Sequence, residues 1–491
     1  MKDVAGMPPS QPSTGARLEG PVTGDPFFMV GNLDLGAAGY VRQEWFLEGA
    51  AQAYSLSGER GADGRWQAAR ASRAPFKTRI VVYRPEEPAR FNGTVLVEWH
   101  NVSGGVDASP DFLFLHRHLM RQGAAWVGVS AQKVGIDGGG LVPGIPLKTA
   151  NAERYASLVH PGDAFSFDIY STVARALRTP GSGPLGPLAP QRVIGIGESQ
   201  SAAFLVTYVN AVDPLERCFD AMLIHGRPGA APGLDGAYMR AARDGDLSNV
   251  SASVGVISSK GHQIREDVRV PVLTFESETD IVILGGGRAR QPDSERVRLW
   301  ELAGAAHFDT YGLVAAHFDR DGISVEELAG HLAPTDDVLG MSAGSPINSG
   351  PQQHYVLNAA QTHLDRWVRE GTPPPQAPRL ETADGAGTQL VRDELGIVRG
   401  GIRTPWVEAP SAVLSGESPG GDGFLFLFGK TLAFDESTLS RHYPGGPDEH
   451  RRRFEAATAT AVRAGYLLPD DAGEIVALAR HGRQPSGWKT P

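Results

Sequence analysis

The sequence carries a serine in a setting typical of a catalytic nucleophile. Residues 193–203 read VIGIGESQSAA, a short apolar strand that passes through Gly-x-Ser-x-Ser into a helix of small residues. A nucleophile elbow is a tight, strained turn that needs small residues two positions before and after the serine, and Gly197 and Ser201 meet that need. The pattern predicts that Ser199 Oγ projects into a cleft and that the N–H of Gln200 faces a developing oxyanion.

Two other interpretations of this motif have less support. The pattern is loose enough to occur by chance in a protein of this length. Gly195-Ile196-Gly197 also follows a strand, as in a dinucleotide-binding loop, but position 200 is Gln where that loop needs a third glycine.

An acid and a histidine follow the serine in the order that this kind of site requires. Residues 270–282 (VPVLTFESETDIV) form a predicted buried strand that ends in acidic residues, and residues 299–308 (LWELAGAAHF) form a strand followed by a small-residue turn. We expect Asp280 to be the acid, with Glu278 as the alternative, and His307 to be the base. His307 would accept the proton of Ser199 and return it to the leaving group, while the acid would hold the imidazole tautomer.

A second oxyanion donor is expected from the loop after an earlier strand. Residues 100–105 (HNVSGG) follow the predicted strand 93–99, and the glycine pair permits unusual backbone angles. We expect the N–H of Asn101 or Val102 to point inward. An ordinary glycine turn with a surface histidine would have the same sequence pattern. The residues expected to line the substrate pocket are His100, Ser103, Gly104, Glu198 and His225.

The elements that must position these residues alternate between strands and helices, which predicts an α/β fold with a largely parallel sheet. The predicted strands are 76–83, 93–99, 123–129, 191–196, 221–225, 270–275 and 297–302, and the predicted helices are 111–122, 164–178, 199–212, 353–370 and 448–465. His116 and His118 are expected on a solvated edge of the first helix.

The domain organisation follows from composition. Residues 1–20 are rich in Pro, Ser and Gly and are expected to be flexible, and residues 21–375 hold the α/β domain. Long glycine-rich insertions at 226–269 and 308–350, together with 136–160, have the length of active-site lids. Residues 376–491 have only weak strand patterns, at 396–402 and 423–429, so they are expected to be an extension packed on the same domain.

Composition excludes several classes of protein. The 491 residues include 46 basic and 56 acidic ones, and the net charge of −10 argues against nucleic-acid binding. The single Cys218 excludes a disulfide framework and cysteine-based metal clusters, and no metal-binding motif or cofactor is expected. The sequence has no apolar run long enough to span a membrane and no signal peptide, so we expect a cytoplasmic protein unless an export signal was removed. It gives no indication of oligomeric state.

Beyond the serine motif, several stretches resemble a bacterial alpha/beta-hydrolase domain family of large serine hydrolases. The similarity extends from about residue 40 to residue 485 and is carried by residues 74–85, 91–107, 154–171, 197–202, 277–282, 290–307 and 400–410. The resemblance implies an α/β-hydrolase fold, a triad on Ser199, Asp280 and His307, and a C-terminal stretch that belongs to the same module. His100 departs from the family pattern, in which a Leu-like residue precedes Asn101.

These observations predict a cofactor-independent serine hydrolase that acts on a small-molecule carboxylic ester. Amide or lactone hydrolysis, or acyl transfer to an alcohol, would use the same residues, because one fold hosts many reactions. A catalytically silent binding protein on the same scaffold is the alternative from another class.

Overall fold

The computed structural model describes residues 15–31, 33–140, 144–179, 181, 183–238, 258–384, 387–421 and 423–481. Most of the N-terminal segment predicted to be flexible, residues 1–14, therefore lies outside the described residues, as do residues 239–257 of the first predicted insertion. The last part of that N-terminal segment is ordered, because Arg17–Glu19 forms an edge strand.

One nine-stranded sheet organises the chain, with the order β1-β2-β3-β5-β4-β6-β7-β8-β9. Strands β1, β2, β3 and β5 pair antiparallel, and every pair from β5 to β9 is parallel, so the predicted largely parallel sheet is confirmed. The strands are β1 (Arg17–Glu19), β2 (Tyr40–Ser57), β3 (Gln67–Pro85), β4 (Thr94–Trp99), β5 (Ala125–Val129), β6 (Arg192–Glu198), β7 (Ala221–His225), β8 (Val272–Glu276) and β9 (Val297–Glu301).

The central strands are buried along their whole length because helices cover both faces of the sheet. In β4, Val95 and Val97 face one core cluster and Leu96 faces the other. This alternation follows from the two-residue period of a strand. The carboxyl ends of the parallel strands consequently meet at one edge, where β6, β8 and β9 lead into the predicted site residues.

The helices form layers on the two faces. Their bounds are α1 (Leu35–Ala38), α2 (Pro110–Gln122), α3 (Lys133–Asp137), α4 (Leu147–Ala150), α5 (Ala152–Tyr155), α6 (Ser166–Leu177), α7 (Gln200–Thr207), α8 (Asp213–Glu216), α9 (Glu278–Val282), α10 (Thr310–Leu313), α11 (Val325–His331), α12 (Gln352–Glu370), α13 (Pro405–Glu408), α14 (Glu436–His442), α15 (Gly446–Ala464) and α16 (Pro469–His481). Helices α6 and α7 pack on the face of Val95, and α2 and α12 pack on the face of Leu96. No described helix is long and apolar enough to cross a membrane.

Helix α2 begins without a cap of its own, since the Ser109 side chain makes no capping hydrogen bond. The carboxylate of Glu98, at the end of β4, accepts the N–H of Asp111 at 3.1 Å and that of Phe112 at 2.9 Å. Acceptor oxygens at a helix N-terminus satisfy donors that have no partner within the helix. This contact fixes the start of α2 against the carboxyl end of β4, beside the site.

The C-terminal stretch shares the core of the sheet domain. Phe454 and Leu478 belong to the same cluster as Leu96, and Ile402 forms a parallel bridge with Leu302 beyond the end of β9. These contacts join the described part of the C-terminal stretch to the sheet domain.

Two short hairpins complete the described chain, and one weak strand prediction is wrong. The hairpins are β10 (Asp337–Val338) with β11 (Met341–Ser342), and β12 (Ala412–Ser415) with β13 (Lys430–Ala433). The predicted strand 423–429 contains instead the 3-10 helix Leu425–Phe428. Leu425 and Phe428, three residues apart, both enter one apolar cluster with Val338, which a helical turn permits and a strand does not.

Candidate active site

Ser199 occupies a strained turn between β6 and α7. Its backbone angles are φ 61° and ψ −120°, a left-handed conformation that is uncommon for a residue other than glycine. Its N–H donates to the carbonyl oxygen of His225 at 2.9 Å, and its side chain is half-buried. A Cβ at Gly197 would lie 3.0 Å from Ser201 Cβ, which is the physical reason for small residues on both sides of the serine.

The three residues predicted as nucleophile, acid and base lie within hydrogen-bonding distance of one another. His307 Nε2 lies 2.8 Å from Ser199 Oγ, and His307 Nδ1 lies 2.5 Å from Asp280 Oδ1. Asp280 Oδ2 accepts the N–H of Ser277 at 2.6 Å as part of a capping box at the start of α9. The cap holds the carboxylate in place, so that its other oxygen faces the imidazole.

Glu278, the alternative acid, is turned away from the histidine. It accepts the N–H of Gly304 at 2.7 Å and that of Gly416 at 3.1 Å, and Arg392 lies 3.0 Å from the same carboxylate. These contacts tie the C-terminal stretch to α9. Burial raises the pKa of Glu278, although Arg392 opposes the shift.

A second carboxylate reaches the histidine from the residue before the serine. Glu198 Oε1 lies 2.9 Å from His307 Nε2, and Glu198 Oε2 accepts a hydrogen bond from Asn101 Nδ2 at 3.1 Å. Burial by itself lowers the pKa of His307, but the negative charges of Glu198 and Asp280 raise it well above its usual value.

Of the two candidates for the second oxyanion donor, the structure retains one. The N–H of Asn101 donates to the carbonyl oxygen of Ala108 at 2.9 Å, so Asn101 is not an oxyanion donor. The β-bridge between those residues closes the loop and commits that amide. The N–H of Val102 points toward the Gln200 side chain, with Oε1 at 3.4 Å, a long and weak contact that a substrate oxygen can replace.

Two residues expected to line the pocket, His100 and His225, are instead buried within side-chain networks. His100 lies near Arg79 and Asp107, at 3.5 Å from each. Burial lowers the pKa of His100. Burial by itself would raise the pKa of Asp107, but the hydrogen bond with His100 and the charge of Arg79 lower it to about 2. His225 Nδ1 lies 2.9 Å from Asp111 Oδ1. These networks support the loops of the site from behind.

A cavity of about 450 Å³ borders both remaining oxyanion candidates, Val102 and Gln200. Ser103 lines it as predicted, whereas Gly104 is exposed and does not. Other residues of its wall were not expected from the sequence: Gln132, Lys133, Val134, Gly138, Gly139, Gly140, Gly162, Asp163, Gly236 and Tyr238. One signal was available for Gln132 and Lys133, because they follow β5, whose carboxyl end shares the edge where ligands bind in open α/β sheets.

The sheet order, the helices on both faces and the serine at the strand–helix turn define an α/β-hydrolase fold. A sequence profile of the alpha/beta hydrolase domain family matches residues 9–477, and the chain belongs to that family. No curated protein shows significant sequence similarity to it.

Several solved structures are similar to part of this chain at low identity. A serine hydrolase without a lid from Xanthomonas campestris is 14% identical over 52% of this chain and 83% of its own, with a TM-score of 0.27. A fungal esterase from Rhizomucor miehei is 13% identical over 52% and 75%, with a TM-score of 0.27. Acetyl xylan esterase 1 from a Thermoanaerobacterium species is 11% identical over 50% and 80%, with a TM-score of 0.26.

Proposed function

We propose that this protein is a serine hydrolase that cleaves a carboxylic ester through an acyl-enzyme. The observation that carries the proposal is the double contact of His307, with Ser199 Oγ at 2.8 Å on one ring nitrogen and Asp280 Oδ1 at 2.5 Å on the other. A hydroxyl is a poor nucleophile near neutral pH, and a base held by an acid in this way is the arrangement that activates it.

The reaction follows from these positions. Ser199 Oγ attacks the ester carbonyl carbon while His307 Nε2 accepts its proton. The N–H groups of Val102 and Gln200 are placed to donate to the negatively charged oxygen of the tetrahedral intermediate. Because Gln200 is the first residue of α7, its N–H has no hydrogen-bond partner within the helix. The carbon–oxygen bond to the alcohol then breaks, and His307 gives the proton to the leaving oxygen. Water attacks the acyl-enzyme by the same steps and frees Ser199.

Asp280 has a supporting role in this scheme. Its carboxylate accepts a hydrogen bond from the Nδ1–H of His307 and stabilises the imidazolium that forms, which keeps Nε2 available to Ser199. Glu278 has no part in the reaction because its contacts are with Gly304, Gly416 and Arg392.

The proposal is tested by measuring hydrolysis of p-nitrophenyl esters of increasing acyl length by the full chain. We expect turnover of at least the short esters, and a loss on the order of 10⁶ in kcat for Ser199→Ala. The matched control is Ser72→Ala, which removes a hydroxyl from an exposed serine of β3 and should keep full activity. Turnover by Ser199→Ala equal to that of the control would contradict the proposal.

A further inference from the structure

The cavity beside the oxyanion donors contains two buried carboxamides with free N–H groups. Gln132 and Gln200 are 2% and 5% exposed. Gln132 Oε1 accepts the indole N–H of Trp99 at 3.0 Å, and Gln200 Oε1 faces the N–H of Val102 at 3.4 Å. Each side chain thus uses its oxygen on the protein, and neither NH₂ group donates to another described residue. Both side chains line the cavity, so a ligand that displaces water from their NH₂ groups must supply acceptors.

The same cavity offers acceptors at its other side. Asp163 Oδ1 accepts the N–H of Lys133 at 2.8 Å, while Oδ2 takes no hydrogen bond from the residues that the structure describes. Ser103 adds a hydroxyl, which donates and accepts. A ligand group that both donates and accepts is therefore the best match for this wall.

The charges near the cavity do not favour an ionic ligand. Lys133 Nζ lies 2.9 Å from Asp137, and Lys148 lies 2.8 Å from the same carboxylate. Among the described residues of the wall, Lys133 and Asp163 are the charged ones, and their charges cancel.

The described part of the wall is of mixed polarity. Five of its residues are glycines, and Val102, Val134 and Tyr238 supply most of its apolar side-chain surface. A fatty acyl chain would bury apolar area here but would displace water from Ser103 and Asp163 without replacing its hydrogen bonds. Such a chain would also leave the two carboxamides without partners.

Building on the proposed function, we propose that this cavity binds a neutral, polyhydroxylated portion of the substrate, so that the substrate class is an acylated sugar or polyol. Its hydroxyl groups would accept from the NH₂ groups of Gln132 and Gln200 and donate to Asp163. The Tyr238 ring would cover an apolar face of the ligand.

The test compares kcat/KM for a mono-acetylated pyranose with kcat/KM for ethyl acetate, which presents the same acyl group. We expect the sugar ester to be preferred at least tenfold, and Asp163→Asn to reduce that preference at least fivefold, because the substitution replaces the Oδ2 acceptor with a donor. The control is Asp321→Asn, which changes an exposed aspartate in the turn before α11 and should leave the preference unchanged.

A second measurement separates this inference from the proposed function. Ser199→Ala protein, which cannot turn over, is titrated with the acetylated pyranose by calorimetry, and we expect binding that Asp163→Asn weakens at least fivefold. Ser199-dependent hydrolysis of ethyl acetate without any preference for the sugar ester, or with no calorimetric binding, would overturn the inference and leave the proposed function standing. Hydrolysis that persists in Ser199→Ala would overturn the proposed function instead.

Discussion

Glu198 Oε1 lies 2.9 Å from His307 Nε2, the same ring nitrogen that lies 2.8 Å from Ser199 Oγ. Asp280 contacts the other ring nitrogen, so the imidazole stands between two carboxylates. This environment stabilises the imidazolium. In the proposed reaction we expect it to assist proton removal from Ser199, and it raises the pKa of His307 above that of an ordinary histidine.

The first prediction concerns pH. Only unprotonated His307 can act as a base, so kcat/KM should rise with pH through an apparent pKa above the ordinary histidine value. Glu198→Gln removes one negative charge and should lower that apparent pKa by about one unit, which makes the variant relatively more active near pH 6. Exposed Glu326→Gln is the control. An unchanged apparent pKa in Glu198→Gln, with activity lowered equally at every pH, would show that Glu198 only supports the structure.

The second prediction separates the two acids that follow β8. Asp280→Asn should lower kcat by about 10⁴ while the protein stays folded, because the amide favours the wrong histidine tautomer. Glu278→Gln should instead destabilise the protein, by about 3 kcal/mol in urea unfolding, because it breaks a buried ion pair with Arg392. A Glu278→Gln protein that is fully stable yet inactive would reverse this assignment.

The third prediction uses a glycine that touches the catalytic pair. Gly226 has φ 60°, and a Cβ there would lie 3.2 Å from His307 Nδ1 and 3.5 Å from Asp280 Oδ1. Gly226→Ala should lower kcat by about 10²-fold, because small displacements of catalytic groups are costly.

Its control is Gly371→Ala. Gly371 has φ 72° at the end of α12, but a Cβ at this position would have no neighbouring atom within 4 Å, so the substitution carries similar backbone strain without contact with the site. It should cost about 1 kcal/mol of stability and leave kcat unchanged. Equal losses of kcat in the two variants would indicate that backbone strain alone explains the effect.

Local patterns predicted the fold well. The strands that lead to Ser199, Asp280 and His307 are mostly apolar and buried along their whole length, as expected for strands covered on both faces. The carboxyl ends of parallel strands meet at one edge, so the order of the motifs along the chain was enough to anticipate their proximity.

Side-chain roles that depend on tertiary contacts were harder to predict. Asn101 was expected to offer its N–H, but the amide is used within its own loop and the side chain holds Glu198. His116 and His118 were expected on a solvated helix edge and are buried, because α12 and the chain near Asp319 cover that edge. The spacing of residues in a helix does not show which segment, distant in the sequence, will pack over it.

The most direct test of the central claim is labelling of the full chain with a fluorophosphonate, which reacts with activated serines, followed by intact mass measurement and peptide mapping. We predict one adduct per chain, located on Ser199, with a labelling rate that falls sharply in Asp280→Asn. An adduct on another serine, or no adduct on folded protein, would contradict the assignment of Ser199 as the activated nucleophile.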